Sequence, residues 1–381
     1  MITCTRRADV VAAPWGDGAL LLDLEDRRLH ELNGPAAAVW NALQLVEADA
    51  VPDLLAERYA VPADQLRPDI TRVLRDFDAE GLLGPAGCTA TPPGSVPQPP
   101  VRPTGRCLGR FGAGMWRFSV WCTDDAVARE VGRVLGPLRV RDQTESGADG
   151  RIEIVHENPA DLVVSIRCDG QPVISGAPPG TGLDVLVGAI NARAVSGSPG
   201  CVAFHAGAVG LPWGAVILPG VSNSGKSTLV AGLVDAGAVY LSDEVALVDP
   251  GPGTIVPYPK SISLDPGSFP LLPHLRPDVG PRFAGHCERK WHVEPRGPRG
   301  DDQVWPVRAV VAPTHDAGAT TRLEPVGRRQ AVELLLANSF DFAPAGEAGF
   351  VALVRLAREV PVHRLTVGAL REATRVVAAL R

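Results

Sequence analysis

The sequence contains very little lysine. Of the 37 basic residues in a chain of 381, only Lys226, Lys260 and Lys290 are lysines, and the other 34 are arginines. Together with 41 glycines and 36 prolines, this composition is typical of a GC-rich genome, which accounts for most of the arginines without any function. It does not account for which lysines remain, because arginine cannot replace a compact ammonium group in a tight phosphate site.

Other absences narrow the class of protein. No apolar run reaches about 18 residues, so no membrane-spanning helix is predicted. The first residues lack the apolar core of a signal peptide, so a cytoplasmic location is expected. The seven cysteines are odd in number and have no C-x-x-C spacing, which argues against a disulfide framework and a zinc ribbon. With 45% hydrophobic and 21% charged residues the chain should fold, and its length predicts two or three domains.

A proline-rich stretch marks the clearest domain boundary. Residues 91–103, TPPGSVPQPPVRP, carry six prolines and no apolar periodicity, as a semi-rigid linker does. We therefore predict a first domain over 1–87, a linker over 88–104, an α/β subdomain over 105–200 and a catalytic domain over 201–381.

The first segment is acidic and has its own secondary-structure pattern. Residues 1–87 hold 8 arginines and 15 acidic residues, a balance of 8 − 15 = −7. The pattern predicts a hairpin around residues 25–27 and a helix beginning at Asn33. Further helices are expected over about 52–59 and 64–80, the last with an apolar stripe. That stripe consists of Leu66, Ile70, Val73, Leu74 and Phe77.

The rest of the chain is predicted to be mixed α/β. Strands are expected at 117–122, 151–155, 162–168, 201–209, 214–220, 238–248, 307–313 and 362–367, and helices at 183–195, 328–340, 351–360 and 370–380. Thr123 or Asp124 can cap a helix, and Asp169-Gly170 is a hairpin turn. Residues 265–304 resist assignment, and so long an irregular stretch is more often an active-site loop than an inert connection.

A glycine-rich loop carries the strongest functional signal. Residues 220–227, GVSNSGKS, fit the phosphate-loop pattern G-x-x-x-x-G-K-[ST] between a strand and a helix. Such a loop binds ATP phosphates through backbone N–H groups, while Lys226 reaches the β- and γ-phosphates and Ser227 binds Mg²⁺. Asn223 tolerates the positive φ that glycine often supplies there. The predicted nucleotide-binding residues are Gly220, Ser222, Asn223, Ser224, Gly225, Lys226, Ser227 and Thr228.

Two further features lie on strands near this loop. Asp243 and Glu244 are adjacent acids within an apolar strand, where burial is costly unless a metal, a lysine or a substrate compensates them. They could supply a Mg²⁺ ligand and a general base, or they could mark a strand end that emerges into solvent. His205 lies on the strand before the loop, and a single histidine on such a strand is usually a core residue.

The motifs HAGAV, GVSNSGKST, YLSDEVAL and PYPKSISL resemble the HPr kinase/phosphorylase superfamily. They are most similar to its relatives in peptide biosynthetic clusters, including lasso-peptide kinases. The resemblance is strongest over 201–260 and weaker over 105–200 and the tail. It implies a P-loop kinase domain of the HPr kinase and phosphoenolpyruvate carboxykinase type, which transfers phosphate from ATP to a hydroxyl group.

The resemblance assigns roles to individual residues. His205 matches the family histidine, Lys226 and Ser227 match the Walker A loop, and Asp243 and Glu244 match the paired acids. Asp243 is favoured as the base, and Ser227 with Glu244 as the Mg²⁺ ligands. Lys260 and Lys290 are candidates for additional positive charge at the phosphates. The second acid is Glu instead of Asp, and the E-[IV]-R-G-x-G signature is missing, so HPr itself is not implied as substrate.

Residues 1–87 resemble PqqD-like domains, through LLLDLEDRRLHELNGPAAAVWNAL and FDAEGLL. The resemblance implies a winged-helix-like domain that binds the leader of a ribosomally made precursor peptide. The leader adds as a strand beside the hairpin and against the third helix. The peptide-binding candidates are Arg28, His30 and Leu32 on the strand, and Arg72, Val73, Arg75 and Asp76 on the helix. The acidic balance argues against nucleic acid as a partner.

Together the two resemblances imply an α+β multidomain kinase. It would use ATP and Mg²⁺ to phosphorylate a Ser or Thr hydroxyl of a precursor peptide, with other pathway enzymes as further partners and no membrane contact. One alternative is a non-catalytic scaffold whose nucleotide site gates peptide delivery. Another is a small-molecule or amino-acid kinase with an incidental first domain.

Overall fold

The computed structural model describes residues 4–85, 103–140, 150–156, 163–278, 290–300, 303–340 and 344–380. The chain is mixed α/β and divides into two compact units, Met1–Val96 with Phe342–Val354, and Pro97–Asp341 with Arg355–Arg381. The proline-rich linker expected over 88–104 lies outside the described residues except for its last two positions. Among the described residues, no helix combines the length and the apolar character needed to span a membrane.

The first unit pairs small sheets with three helices. Its strands are β1 Cys4–Arg6, β2 Val10–Trp15, β3 Gly18–Asp23, β4 Leu29–Leu32 and β5 Leu83–Pro85, and its helices are α1 Gly34–Ala42, α2 Val51–Tyr59 and α3 Ala63–Ala79. The sheet order is β2-β3-β4, with β1 paired to β5. The predicted hairpin and helices are therefore confirmed, and β2 is an additional strand. The side chain of Asn33 caps α1 by accepting a hydrogen bond from the N–H of Ala36 at 3.0 Å.

An apolar core holds the first unit together. Trp40 on α1 is fully buried and meets Phe77 on α3 edge to face, with 5.5 Å between ring centroids. The predicted stripe on α3 faces this core, since Ile70 and Phe77 are buried and its other members pack against them. Burying a large side chain contributes about 1.5–3 kcal/mol, so this stripe fixes the position of α3.

The second unit begins with an antiparallel-rich sheet covered by two helices. It contains β6 Arg106–Ala113, β7 Trp116–Cys122, α4 Asp125–Leu135, β8 Gly150–Val155, β9 Val164–Cys168, β10 Gln171–Ala177 and α5 Pro179–Ser196. The sheet order is β10-β9-β8-β7-β6. Asp124 is the helix cap, accepting from the N–H of Val127 at 2.8 Å. Asp169 and Gly170 form the predicted two-residue turn, with φ of 53° and 81°.

A larger sheet carries the glycine-rich loop. Its strands are β11 Val202–Leu211, β12 Gly214–Pro219, β13 Val239–Ser242, β14 Val245–Asp249, β15 Thr254–Val256, β18 Trp305–His315, β19 Arg322–Pro325 and β20 Val362–Val367, with the pair β16 Ile262–Leu264 and β17 Trp291–Val293 beside it. The helices of this part of the chain are α6 Lys226–Asp235, α7 Arg328–Ala337, α8 Gly346–Glu359 and α9 Leu370–Ala378. The residues of α8 up to Val354 belong to the first unit. The strands of this sheet follow the order β12-β11-β14-β15-β18-β20-β19, and β12 also pairs in parallel with β18.

One strand prediction was wrong. Residues 238–248 do not form a single strand, because the chain breaks at Asp243 and Glu244 between β13 and β14. Both halves pair antiparallel with β11, and Glu244 takes a left-handed φ of 72° between them. In a continuous strand the two acids would point to opposite faces of the sheet. Because the chain breaks between β13 and β14, both acids instead lie in one cluster of side chains.

The stretch 265–304 is only partly regular where it is described. It contains the short strand β17 and two single turns of 3₁₀ helix, at Pro266–Ser268 and Pro273–Leu275. β17 pairs antiparallel with β16, and this pairing sets His292 opposite Ser263. In this antiparallel register Lys290, just before β17, continues opposite Asp265, at the other end of the pair from Lys260, and both lysine side chains nevertheless reach Glu244.

Candidate functional site

The 220–227 loop joins the end of β12 to the start of α6. Two residues of the loop have positive φ, Asn223 at 65° and Gly225 at 88°. Glycine adopts that conformation freely, and asparagine is one of the few other residues that tolerate it. The loop therefore curls tightly and ends at a helix N-terminus, whose first N–H groups have no partner within the helix. This geometry suits an anion with several oxygens.

Lys226 lies inside this curl. Its side chain is almost fully buried, and Nζ donates to the backbone carbonyls of Gly220 at 2.5 Å and Val221 at 2.8 Å. Burial lowers the pKa of Lys226, while the carboxylates of Asp243 and Glu244 oppose that shift. Ser224 Oγ is also buried, and no described residue offers it a hydrogen bond. A buried hydroxyl without a partner is costly, so Ser224 Oγ would gain from a ligand that offers it a hydrogen bond.

Asp243 connects the loop to the neighbouring strands. It is fully buried, and Oδ1 accepts a hydrogen bond of 2.9 Å from Ser227 Oγ. Oδ2 accepts from the backbone N–H of Ser263 at 2.8 Å and lies 3.4 Å from Lys260 Nζ. These donors satisfy both oxygens and hold the side chain of Asp243 in one orientation beside Ser227.

Lys260 occupies the space between the two acids. It is 2% exposed, and Nζ lies 3.2 Å from Glu244 Oε2 as well as 3.4 Å from Asp243 Oδ2. It also donates to the carbonyl of Ser261 at 3.0 Å and to Ser263 Oγ at 3.1 Å. Buried charges persist only when paired and hydrogen-bonded, and this ammonium group meets both conditions.

Glu244 lies at the more accessible side of the cluster. Lys290 Nζ donates to Oε1 at 2.8 Å, and Asn191 Nδ2 donates to Oε2 at 2.9 Å. Tyr258 in turn donates to Asn191 Oδ1 at 2.8 Å, which fixes the orientation of the amide. Burial alone would raise the pKa of Glu244, but Lys260, Lys290 and Asn191 outweigh it and hold that pKa well below its usual range. Burial would lower the pKa of Lys290, and Glu244 reverses the shift.

His205 lies on β11 beside the same charges. Its backbone carbonyl accepts a hydrogen bond of 3.4 Å from the N–H of Gly220, so it adjoins the start of the loop. Burial lowers the pKa of His205, with a further lowering from Lys226 that Glu244 partly opposes. The ring is therefore kept neutral more readily than a free histidine.

A cavity opens beside the loop and α6. Its volume is about 850 Å³, within the range of ordinary small-molecule pockets. Its lining includes Asn223 and Thr228 on one side, and Asp265, Leu370 and Arg371 on the others. Burial raises the pKa of Asp265, although Lys290 opposes the shift. The cavity thus combines apolar walls with a few charged and polar groups next to the anion-binding curl.

The peptide-binding candidates lie around β4 and α3 in the first unit. β4 pairs with β3, and no second strand among the described residues pairs with its other edge. His30 on β4 lies 3.7 Å from Glu80 at the end of α3, so this end of the helix lies beside the strand. Leu32 and Val73 are half-buried against the core. The exposed candidates are Arg28, Arg72, Arg75 and Asp76.

The structure brings most of the site candidates from the sequence together. Lys226, Ser227, Asp243, Glu244, Lys260 and Lys290 form one connected cluster, with His205 at its edge. Sequence reasoning missed Asn191, Tyr258 and Ser263. Tyr258 and Ser263 lie in the PYPKSISL motif, which assigns them no role, and Asn191 lies on α5 outside the motifs, so only the fold identifies all three as members of the cluster.

The predicted metal ligands Ser227 and Glu244 stay a prediction, and the contacts bear on which acid lies beside Ser227. The sequence paired Ser227 with Glu244, but Ser227 Oγ contacts Asp243, and both oxygens of Glu244 are taken by Lys260, Lys290 and Asn191. The geometry therefore favours Asp243 as the carboxylate that would share a cation with Ser227. Among the described residues, three acidic side chains cluster only at Asp9, Asp23 and Glu25, where Arg7 already pairs with them.

Comparison with known proteins identifies part of the chain. Residues 18–83 match the family model described as Coenzyme PQQ synthesis protein D (PqqD), so the first unit contains a PqqD domain. No curated protein matches the chain. Among solved structures, the chain is similar to TbiB1 in complex with the TbiA(beta) leader peptide. That match has 22% identity and a TM-score of 0.20, and covers 23% of this chain and 99% of that chain.

Proposed function

We propose that this protein is an ATP- and Mg²⁺-dependent kinase that phosphorylates a Ser or Thr hydroxyl of a ribosomally made precursor peptide. The single observation that carries the proposal is the cluster at the 220–227 loop. There the buried Lys226 lies in a curl suited to an anion, and the hydroxyl of the next residue, Ser227, is hydrogen-bonded to the buried carboxyl group of Asp243. This combination is what phosphoryl transfer needs, since its catalysis is mostly positioning and charge stabilisation.

The loop fits the phosphates of ATP. The unpartnered Ser224 Oγ and the free N–H groups of the first turn of α6 would gain acceptors from phosphate oxygens. Lys226 now donates to carbonyls of the loop itself and would turn to the β- and γ-phosphates. The adjoining cavity of about 850 Å³ would take the nucleoside.

Ser227 and Asp243 fit a Mg²⁺ ion. A protein usually binds this ion through one or two carboxylates together with substrate phosphates and water, so this pair is a sufficient donor set. Bound there, the ion would neutralise charge on the phosphates. Glu244 is the more accessible acid and is our candidate to accept the proton of the substrate hydroxyl. Its lysine partners lower its pKa and so weaken it as a base, and the half-exposed Lys290 would first have to turn from Oε1 toward the phosphates. This assignment exchanges the roles that the sequence favoured for the two acids.

The PqqD domain would select the substrate. An extended leader peptide can add to the edge of β4 that lies away from β3, where backbone pairing supplies affinity and side-chain pockets supply specificity. The leader and the reacting segment belong to one peptide. Binding of the leader therefore raises the effective concentration of the acceptor hydroxyl to about 1 mM or more. A kinase recruited in this way needs little local sequence preference.

The proposal is tested with purified protein, ATP, Mg²⁺ and a ribosomally made precursor peptide that binds the protein through its leader. We expect intact-mass analysis to detect one added phosphate, and Lys226→Ala to abolish it. A precursor without its leader should be phosphorylated much more slowly. A precursor that binds but never gains phosphate would contradict the kinase and favour a nucleotide-gated scaffold. Equal rates with and without the leader would favour a kinase for other substrates.

A further inference from the structure

A chain of hydrogen bonds leads away from Lys260 toward α5. Lys260 Nζ donates to Ser263 Oγ at 3.1 Å, and Ser263 Oγ lies 3.4 Å from His292 Nδ1. His292 Nε2 lies 2.9 Å from Asp184 Oδ1 on α5. Ser263 and His292 are both buried, whereas Asp184 is partly exposed. Ser263 lies in the PYPKSISL motif, which assigns it no role, and His292 and Asp184 lie outside the sequence motifs.

The chain has one direction, which follows from its first member. An ammonium group has donors only, so Ser263 Oγ accepts from Lys260 and keeps its own hydrogen to donate. When His292 is in its Nε2–H tautomer, Nδ1 is the acceptor available to that hydrogen. The remaining proton is on Nε2, where it donates to the carboxylate of Asp184. Asp184 thus selects the histidine tautomer that Ser263 requires.

The neighbouring elements hold this chain in place. Arg133 on α4 donates to the backbone carbonyl of His292 at 2.7 Å, and Ser261 Oγ donates to the carbonyl of Val134 at 2.6 Å. The backbone N–H of Ser263 is also the donor to Asp243 Oδ2. A change at His292 would therefore reach Asp243 through a single residue.

We propose that Asp184 and His292 are positioning residues that act through Ser263 to hold Lys260 between Asp243 and Glu244. Without an acceptor at position 292, the hydroxyl of Ser263 would turn toward Asp243 Oδ2 and compete with Lys260 for it. The ammonium group would then lose its fixed place between the acids. The consequence for catalysis rests on the proposed kinase function, but the consequence for Lys260 does not.

The scarcity of lysine makes a direct test practical. Protein labelled with ¹⁵N and ¹³C only in lysine has three side-chain NMR signals, and the signal missing in Lys260→Met identifies the relevant one. We expect His292→Leu and Ser263→Ala each to shift this signal or to speed its proton exchange. The double variant should match Ser263→Ala alone, because two residues that act in series are not additive. His292→Asn, which retains an acceptor near Nδ1, should largely restore the wild-type signal.

Enzyme kinetics tests the effect of these positioning residues on phosphate transfer. With the precursor peptide as substrate, His292→Leu should lower kcat by about 10–100-fold, the range typical of residues that orient a reacting group through an intermediary. The affinity for a fluorescent ATP analogue should stay within about twofold of wild type, with His292→Asn close to wild type in both. His274→Leu is the matched control, because His274 pairs with Asp235 at 2.7 Å away from this chain.

Additive effects in the double variant, or an unchanged Lys260 signal in His292→Leu, would overturn the proposal. So would equal losses in His292→Leu and His292→Asn, which would indicate a packing role. If wild-type protein transfers no phosphate while the NMR results hold, the kinase function fails and the positioning chain stands.

Discussion

Lys260→Met should destabilise the second unit more than any other single lysine replacement. Methionine keeps the length and the apolar stem of the side chain but removes the ammonium group. Asp243 and Glu244 would then lie adjacent to each other, with Asp243 fully buried and without its cationic partner. An unpaired buried carboxylate is among the most costly defects that a fold can contain.

The magnitude follows from the distances. At 3.4 Å from Asp243 and 3.2 Å from Glu244, each attraction is about 5 kcal/mol at an effective dielectric constant of about 20. Removing the lysine also removes its own desolvation cost of several kcal/mol, so a net loss of about 3–5 kcal/mol is expected. Lys290→Met is the matched control, because its ammonium group is half exposed and its loss should cost about 1 kcal/mol or less.

Urea unfolding followed by tryptophan fluorescence measures these differences, since most tryptophans lie in the second unit. Asp243→Asn in the Lys260→Met background should recover part of the loss, because it removes the unpaired charge. A loss below about 1 kcal/mol for Lys260→Met would refute the reasoning, as would a double variant no more stable than the single one.

Three further predictions concern the size of the Lys260 site, the protonation of His205 and the binding of the leader peptide. Lys260→Arg should abolish phosphate transfer because its enclosed site cannot fit a guanidinium group, whereas Lys290→Arg should retain most activity; equal losses would contradict this. His205 has a lowered pKa in the folded protein, so its contribution to stability is present above about pH 6.5 and is lost as the pH falls below that value. His205→Gln should therefore flatten the acid side of the stability profile, and an unchanged profile would argue against it. Two leader peptides can be made, one with backbone N-methyl groups at the odd positions and one with them at the even positions. Their affinities, measured by fluorescence anisotropy, should differ about tenfold, because only alternate N–H groups of an added strand face its partner. Equal affinities would exclude strand addition.

Local signals explain why much of the fold could be predicted. The Asp169-Gly170 turn, the Asn33 cap and the strand-loop-helix around Lys226 each depend on residues close together in the sequence. The match of residues 18–83 to PqqD agrees with the resemblance seen in the same segment.

The rest depends on long-range pairing, which no short pattern encodes. The apolar run through 238–248 hides its break, because glutamate gives no sign of the positive φ that Glu244 adopts. Lys290 reaches Glu244 through the pairing of β16 with β17, whose partners are separated by an irregular stretch. Asn191 comes from α5 on the other sheet, so its contact with Glu244 exists only once the two sheets have packed.

Transfer of labelled phosphate from [γ-³²P]ATP to the precursor peptide is the most direct test of the central claim. In the presence of Mg²⁺, the account predicts radioactive peptide with the wild-type protein, none with Lys226→Ala, and loss of the label when the acceptor Ser or Thr is replaced by Ala. A peptide that stays unlabelled while it binds through its leader, or labelling that persists in Lys226→Ala, would contradict it.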